Sequence, residues 1–322
     1  MEWEWGGRIG QRHASVFLEG VLRNGRLPHA LLLLGPEGSG RTTAAEWLVR
    51  SLVGEKGWTH PDVVSLSREG NTEEGGRKAW IRIDDVREVR ERMGMSALLG
   101  GWKVAWIEEA DRLSPEAANA LLKELEEPSP RSLFLLRAPN AGHVLSTIVS
   151  RCQRLRFGSV PKKELEEGLI ARGIKIEEVE RLVRLSDGFP GRAIRLWEKE
   201  EWRAAEEEEE TRFFRIVTSG LVGRLQITSE IFEKRTGETR AREETIDRWE
   251  RSLRVLLHVS LGDPAGRGIP NSFKEKEKEI QTLGPGPWAA ALQELRHLRQ
   301  DLSQNVNPQL AFERFVFSIG TL

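Results

Sequence analysis

The chain has 322 residues, which is enough for two or three domains of ordinary size. Its 49 basic and 50 acidic residues leave a net charge of -1, which argues against a protein that coats nucleic acid by charge alone. The single cysteine, Cys152, excludes an intrachain disulfide and a cysteine zinc site, and it is in keeping with a reducing cytoplasm.

The chain begins with Met1-Glu2-Trp3-Glu4, an acidic segment without the apolar core of a signal peptide. No apolar run is long enough to cross a bilayer. We therefore expect a cytoplasmic protein that has no membrane partner.

Residues 1–160 alternate short apolar runs with helical patterns. The runs predict four buried strands, at Leu31–Leu34, Val63–Leu66, Val104–Ile107 and Leu133–Leu136. Helical spacing predicts helices over Thr42–Leu52, Ile83–Met93 and Ser114–Glu127. Strands that alternate with helices predict a parallel sheet covered by helices on its faces.

After residue 160 the pattern is helical throughout. Three short helices are predicted over Lys162–Arg172, Ile176–Leu185 and Gly191–Glu200. The acidic run Glu206–Glu210 is interpreted as a solvated helix face or linker, in preference to a binding tail. From Thr211 to the end, helical patterns are broken at residues 262–270 and 284–287.

A glycine-rich segment lies between the first predicted strand and the following helix. Its sequence, Gly35-Pro36-Glu37-Gly38-Ser39-Gly40-Arg41-Thr42, matches the phosphate-binding pattern G-x-x-x-x-G-K-[ST] except that Arg41 replaces the lysine. The glycines allow backbone N–H groups to surround phosphates, and Thr42 offers a hydroxyl to magnesium. Arginine is a wider, planar group than lysine. The segment is therefore either a nucleotide site that has lost tight binding or a loop kept for structure alone.

A pair of acids follows the third predicted strand. Glu108-Glu109 occupies the place where an Asp-Glu pair orders magnesium and polarises water in active P-loop ATPases. Glu108 is one methylene longer than aspartate, and Mg²⁺ demands near-ideal octahedral geometry. Because phosphoryl transfer needs positioning and charge stabilisation together, two defects in one site predict that this chain does not hydrolyse ATP.

Several further segments resemble the bacterial clamp-loader AAA+ proteins, and among them the delta-prime subunits of DNA polymerase III. They are Gly25–Ala30 (GRLPHA), His60–Val63 (HPDV), Ile83–Arg87 (IDDVR), Ala117–Pro128 (AANALLKELEEP) and Thr147–Gln153 (TIVSRCQ). The resemblance is dense over residues 8–195, and it is weaker for Asn305–Leu310 (NVNPQL) near the C-terminus. The combination of the Leu-Glu-Glu-Pro and Ser-Arg-Cys segments is highly specific.

The resemblance implies an α/β RecA-like AAA+ P-loop domain over residues 1–160. It implies a small helical lid domain over residues 161–203 and an all-α collar domain for oligomerisation over residues 204–322. It also implies a hetero-oligomer with gamma/tau-like and delta-like subunits, which uses ATP to load a ring-shaped sliding clamp on primed DNA.

Departures from the ATP-hydrolysing members of this family agree with a non-hydrolytic subunit. Besides Arg41 and Glu108, Ala138 lies where a polar sensor is usual, and Gly191 lies where the lid provides an arginine, with Arg192 one residue out of register. The four-cysteine zinc module of many relatives is missing between Trp58 and Lys78. We therefore expect no cofactor bound by this chain, no zinc, ATP and magnesium only in the neighbouring subunit, and a mobile loop at Glu69–Gly76.

In this family the Ser-Arg-Cys arginine extends into the ATP site of the next subunit, which assigns an arginine finger to Arg151 with support from Ser150. Judged by spacing alone, Arg151 is a surface arginine in a salt bridge. The resemblance therefore implies a subunit of DNA-directed DNA polymerase, and the two defects in the phosphate site predict that it has no ATPase activity of its own. The alternative is an ATP-hydrolysing gamma/tau-like clamp-loader subunit, while an unrelated P-loop kinase leaves the two specific segments unexplained.

Overall fold

The computed structural model describes residues 8–67, 80–99, 101–234, 239–262, 271–304 and 306–319. The chain divides into two compact units, of which the first joins residues 1–160 to Phe189–Arg192. The second joins residues 161–188 to residues 193–322. The predicted loop Glu69–Gly76 and Asn305 lie outside the described residues. Among the described residues, no helix is both long enough and apolar enough to cross a membrane.

The first unit contains a five-stranded parallel sheet in the order β2-β3-β4-β1-β5. The strands are β1 Ala30–Leu34, β2 Val63–Leu66, β3 Lys103–Ile107, β4 Ser132–Ala138 and β5 Gln153–Arg156. The four predicted strands are confirmed, and β5 is an additional edge strand that pairs with β1. In the register, Leu33 lies beside Arg137 and Leu34 beside Ala138, so the phosphate loop begins next to the end of β4.

Side chains of each strand alternate between two cores, one on each face of the sheet. Leu32 and Leu136 belong to one core, whereas Leu33 and Leu135 belong to the other. The helices of this unit are α1 Arg12–Arg23, α2 Arg41–Val53, α3 Ile83–Gly94, α4 Pro115–Glu126 and α5 Ser146–Val149. Ser114 caps α4, because its side chain accepts a hydrogen bond from the Ala117 N–H at 3.2 Å.

The second unit is helical throughout its described residues. Its helices are α6 Lys162–Ala171, α7 Ile176–Ser186, α8 Pro190–Glu198, α9 Glu200–Thr218, α10 Leu221–Lys234, α11 Thr239–Ser260, α12 Asn271–Lys274, α13 Glu277–Leu283, α14 Gly286–Ser303 and α15 Pro308–Ser318, with the first turn of α8 grouped with the first unit. Trp249 is fully buried among Phe213, Phe312 and Phe315 at the centre of this core. The predicted boundary between lid and collar at residues 203 and 204 falls inside α9, and this division stays a prediction.

The acidic run Glu206–Glu210 lies within α9, and the expectation of a solvated face was wrong for most of it. Ion pairs join Glu206 to Arg248 and Arg251 of α11, Glu207 to Arg181 of α7, and Glu210 to Arg184 of α7. Glu209 is 1% exposed and accepts a hydrogen bond from Trp249 Nε1 at 3.0 Å. Only Glu208 of the run is mainly exposed, because arginines distant in sequence pair with Glu206, Glu207 and Glu210, and Glu209 is buried beside Trp249.

Candidate functional site

The phosphate loop has the backbone shape that the sequence predicts. It leaves the end of β1 at Gly35, turns through Gly38 and Gly40 at φ values of 78° and 100°, and enters α2 at Arg41. Positive φ values of this kind favour glycine, since side chains with a Cβ rarely adopt them. Glycine at positions 38 and 40 therefore allows the loop to turn directly into α2. The backbone N–H groups of the loop then lie at the N-terminus of that helix.

The side chain of Arg41 points into the protein. It is 8% exposed, and its Nη1 donates a hydrogen bond of 2.6 Å to the carbonyl oxygen of Ala138. Burial and the nearby Arg137 guanidinium lower the pKa of Arg41 to about 10, which still leaves it cationic at neutral pH. The Arg41 guanidinium, which was expected to contact phosphates, thus binds a backbone carbonyl oxygen at the end of β4 instead.

Arg137 bridges the two residues that would hold magnesium. Its Nη1 donates to Thr42 Oγ1 at 2.8 Å, and its Nε donates to the Glu108 carbonyl oxygen at 2.8 Å. Its Nη2 lies 3.5 Å from Glu108 Oε2. A cation already neutralises the carboxylate and contacts the hydroxyl, so these residues do not fit a magnesium ion as they are arranged. Glu109, next in the chain, lies at the start of a 3₁₀ turn.

The first turn of α8 lies against the outer side of the loop. The Gly191 N–H donates to the Gly38 carbonyl oxygen at 2.8 Å. A Cβ on Gly38 would lie 2.8 Å from the Arg192 backbone nitrogen, so only glycine fits there. Gln11 also contacts the loop, since its Nε2 donates to the Ser39 carbonyl oxygen at 3.1 Å. The loop is therefore covered by its own chain on two sides.

The predicted finger lies on the surface of the first unit, between α5 and β5. Arg151 Nε donates to Glu126 Oε1 at 2.8 Å, and Nη1 donates to the Thr147 carbonyl oxygen at 3.0 Å and to Ser150 Oγ at 3.3 Å. The Arg151 side chain is 34% exposed. None of these hydrogen bonds joins Arg151 to the phosphate loop of the same chain.

Cys152, the next residue, is buried under this surface. Burial raises the pKa of its thiol to about 12. The reactive thiolate is therefore scarce at neutral pH, and the residue behaves as a small packing group.

The structure brings Gly35, Gly38, Gly40, Arg41, Thr42 and Glu108 together around one loop, and their assignment to a nucleotide site stays a prediction. Sequence reasoning missed Arg137, although a lone arginine in the apolar run Leu133–Leu136 and Ala138 was a usable signal, since a charge in a buried strand requires a partner. It also missed Glu126 as the partner of Arg151. That contact was not readable from spacing, because the two residues lie 25 positions apart.

Comparison with known proteins agrees with the resemblance read from the sequence. Residues 10–161 match a family model described as DNA polymerase III, delta subunit. The delta′ subunit of DNA polymerase III from Escherichia coli is 37% identical over 150 residues, which are 46% of this chain and 43% of that protein. The tau subunit from Bacillus subtilis is 30% identical over 191 residues, 54% of this chain and 32% of that protein.

The matches therefore span less than half the length of these two relatives. A solved structure of a DNA polymerase III gamma subunit-related protein from Thermotoga maritima covers 93% of this chain and 97% of its own, with a TM-score of 0.51 at 20% identity. That likeness concerns the fold alone. The α/β RecA-like AAA+ fold is confirmed, and so is the resemblance of residues 10–161 to bacterial clamp-loader subunits.

Proposed function

We propose that this chain is a non-hydrolytic, delta-prime-like subunit of a bacterial DNA polymerase III clamp loader. In this proposal it assembles with gamma/tau-like and delta-like subunits in the cytoplasm, and the complex loads a sliding clamp on primed DNA. The relatives include both delta′ and tau subunits, so similarity alone does not separate a passive subunit from an ATP-hydrolysing one. The geometry of the phosphate loop supports the passive role.

The contacts of Arg137 with Thr42 and Glu108 are the observation on which the non-hydrolytic role depends. Catalysis of phosphoryl transfer requires a magnesium ion that spans the β- and γ-phosphates. The hydroxyl of Thr42 and the carboxylate of Glu108 instead contact the Arg137 guanidinium, while Arg41 donates to the Ala138 carbonyl oxygen. Both guanidinium groups, those of Arg137 and Arg41, would have to move before this loop could act as an ATPase.

The active role that we propose lies in Arg151, with Ser150 beside it. A guanidinium brought to a neighbouring triphosphate offsets the charge that develops on the γ-phosphate. Arg151 is partly exposed on the unit surface, and its contacts are with the exposed Glu126, one carbonyl and one hydroxyl. Such contacts are weak enough in water to exchange for a phosphate.

The alternative is an ATP-hydrolysing, gamma/tau-like subunit, which the similarity to tau favours. The isolated chain, mixed with a labelled ATP analogue and Mg²⁺, separates the two functions. We expect neither tight magnesium-dependent binding nor turnover. Brisk hydrolysis by the lone chain would contradict the non-hydrolytic role.

The finger is tested by Arg151→Ala in a complex reconstituted with the gamma/tau-type and delta-type subunits of the same organism. Arginine fingers are worth about 10³–10⁵ in rate, so ATPase at the site next to this chain should nearly vanish and clamp loading should fall. Assembly, measured by size-exclusion chromatography, should be unchanged. Arg154→Ala, which removes an exposed arginine of β5, is the matched control. An unchanged ATPase of the Arg151→Ala complex would refute the finger.

A further inference from the structure

The donors of Arg151 are almost all used within its own chain. A guanidinium carries five N–H groups, one on Nε and two on each Nη. Nε and Nη2 both contact Glu126 Oε1, and Nη1 contacts the Thr147 carbonyl oxygen and Ser150 Oγ. All three guanidinium nitrogens therefore already contact acceptors of this chain.

Arginine frequently recognises phosphate through two neighbouring N–H groups that form a fork. While it contacts Glu126, Arg151 offers no fork that is free of competing acceptors, because Nε and both Nη atoms already contact groups of its own chain. The Glu126 carboxylate also places a negative charge against the guanidinium, which offsets the attraction between Arg151 and a triphosphate. The ion pair thus opposes finger action in both geometry and charge.

The ion pair between Arg151 and Glu126 is one that can separate readily. The Glu126 side chain is 49% exposed at the C-terminal end of α4, and the Arg151 side chain is 34% exposed. Exposed ion pairs are weak because water screens them and solvates both groups when they part. A triphosphate carries more negative charge than one carboxylate and therefore competes with Glu126 for the same donors.

We propose that Glu126 is an autoinhibitory partner of Arg151, which holds the finger until the triphosphate of a neighbouring subunit displaces it. This inference rests on the proposed function, since it requires Arg151 to act on a neighbouring ATP site. It assigns Glu126 a regulatory role: the carboxylate lowers the affinity of the neighbouring site for triphosphate.

The test is Glu126→Gln in the reconstituted complex, because glutamine keeps the shape of the side chain and removes its charge. We expect the neighbouring site to bind a non-hydrolysable ATP analogue about two- to fivefold more tightly, the range set by the usual strength of exposed ion pairs. Glu127→Gln, which neutralises the next acid, also an exposed one, should leave the affinity unchanged.

A double-variant cycle separates this inference from the proposed function. If Arg151→Ala has no effect, the finger itself is refuted. If Arg151→Ala lowers ATPase but Glu126→Gln leaves affinity unchanged or weakens it, only the autoinhibitory role is overturned. The gain from Glu126→Gln should disappear in the Arg151→Ala background, and its persistence there would also overturn the inference.

Discussion

Arg137 lies beside Leu33 in the sheet, and its guanidinium occupies the space between Thr42 and Glu108. The guanidinium of Arg137 lies over the aromatic ring of Trp106, with its carbon 5.8 Å from the ring centroid. This flat cation therefore rests on an aromatic face while its edges serve the hydroxyl and the carboxylate. Thr42 and Glu108 cannot bind magnesium while they contact Arg137. Arg137 therefore opposes magnesium binding at this loop as much as the replacement of lysine by Arg41 does.

Removing Arg137 and restoring the lysine should create magnesium-dependent nucleotide binding. In the Arg41→Lys/Arg137→Ala variant, Thr42 and Glu108 are freed, and a lysine can meet the phosphates. Because hydrogen bonds to charged groups are worth about 1.5–3 kcal/mol, affinity for a magnesium–ATP analogue should rise at least about tenfold over the unmodified chain. Isothermal titration calorimetry with and without EDTA measures the change.

Arg41→Lys alone is the control for this experiment. We expect it to gain little affinity, since Arg137 still bridges Thr42 and Glu108. If the single variant binds magnesium and ATP as tightly as the double variant, Arg137 does not close the site.

At the scale of single elements, the sequence was most informative where burial is complete. Strands β1 and β4 each contain a run of at least four consecutive apolar residues that are all buried, and both strands were predicted correctly. Strand β5 was missed, because in Gln153-Arg154-Leu155-Arg156 only Leu155 is buried and four residues are too few to show alternation. Its identity as a strand comes from pairing with β1, which is a fact of the fold and not of the local sequence.

In the candidate site, too, some features were predictable from the local sequence and others were not. Glycines of the phosphate loop were predictable because a strand-turn-helix with positive φ angles demands them. The contacts of Arg137 and of Glu126 depend on which strands and helices become neighbours. The resemblance assigns the finger role to Arg151, which stays a prediction, and no local pattern in the sequence indicates that Glu126 contacts this residue.

Helix α9 provides a pH-dependent prediction through Glu210. Burial raises the pKa of Glu210 above its ordinary 4.5, even though both carboxylate oxygens lie 2.6 Å from Arg184 Nη1. Just above pH 4.5 the folded chain therefore keeps a proton that the unfolded chain has lost, and the free energy of unfolding falls as pH rises through this window. Glu210→Gln removes that dependence.

Denaturant unfolding at successive pH values, compared between the unmodified chain and Glu210→Gln, measures this effect. The stability of the unmodified chain relative to the variant should decline as pH rises above 4.5. Glu208→Gln, at a 68% exposed position of the same helix, should show no such relative decline. A relative stability that increases with pH would mean that Arg184 outweighs burial at Glu210.

At the scale of the whole molecule, each unit has apolar cores of its own. The cores on the two faces of the sheet are formed entirely by residues of the first unit, and the core around Trp249 entirely by residues of the second. A unit with its own core is able to unfold as a cooperative block. The confirmed resemblance covers residues 10–161. Predictions for the helical unit therefore depend on the core around Trp249 and not on the resemblance.

Trp249→Ala should therefore loosen the second unit and leave the sheet intact. The ring is fully buried, with the centroids of Phe312 and Phe315 at 5.4 and 5.5 Å, and such a truncation costs about 3–5 kcal/mol. Native-state hydrogen exchange should show lost protection in α9, α11 and α15, while the amides of β1 and β4 keep theirs. Leu135→Ala, at a fully buried position of β4, should give the converse pattern at a cost of about 2–5 kcal/mol. If Trp249→Ala lowers protection equally in the sheet and in the helices, the two units unfold as one block.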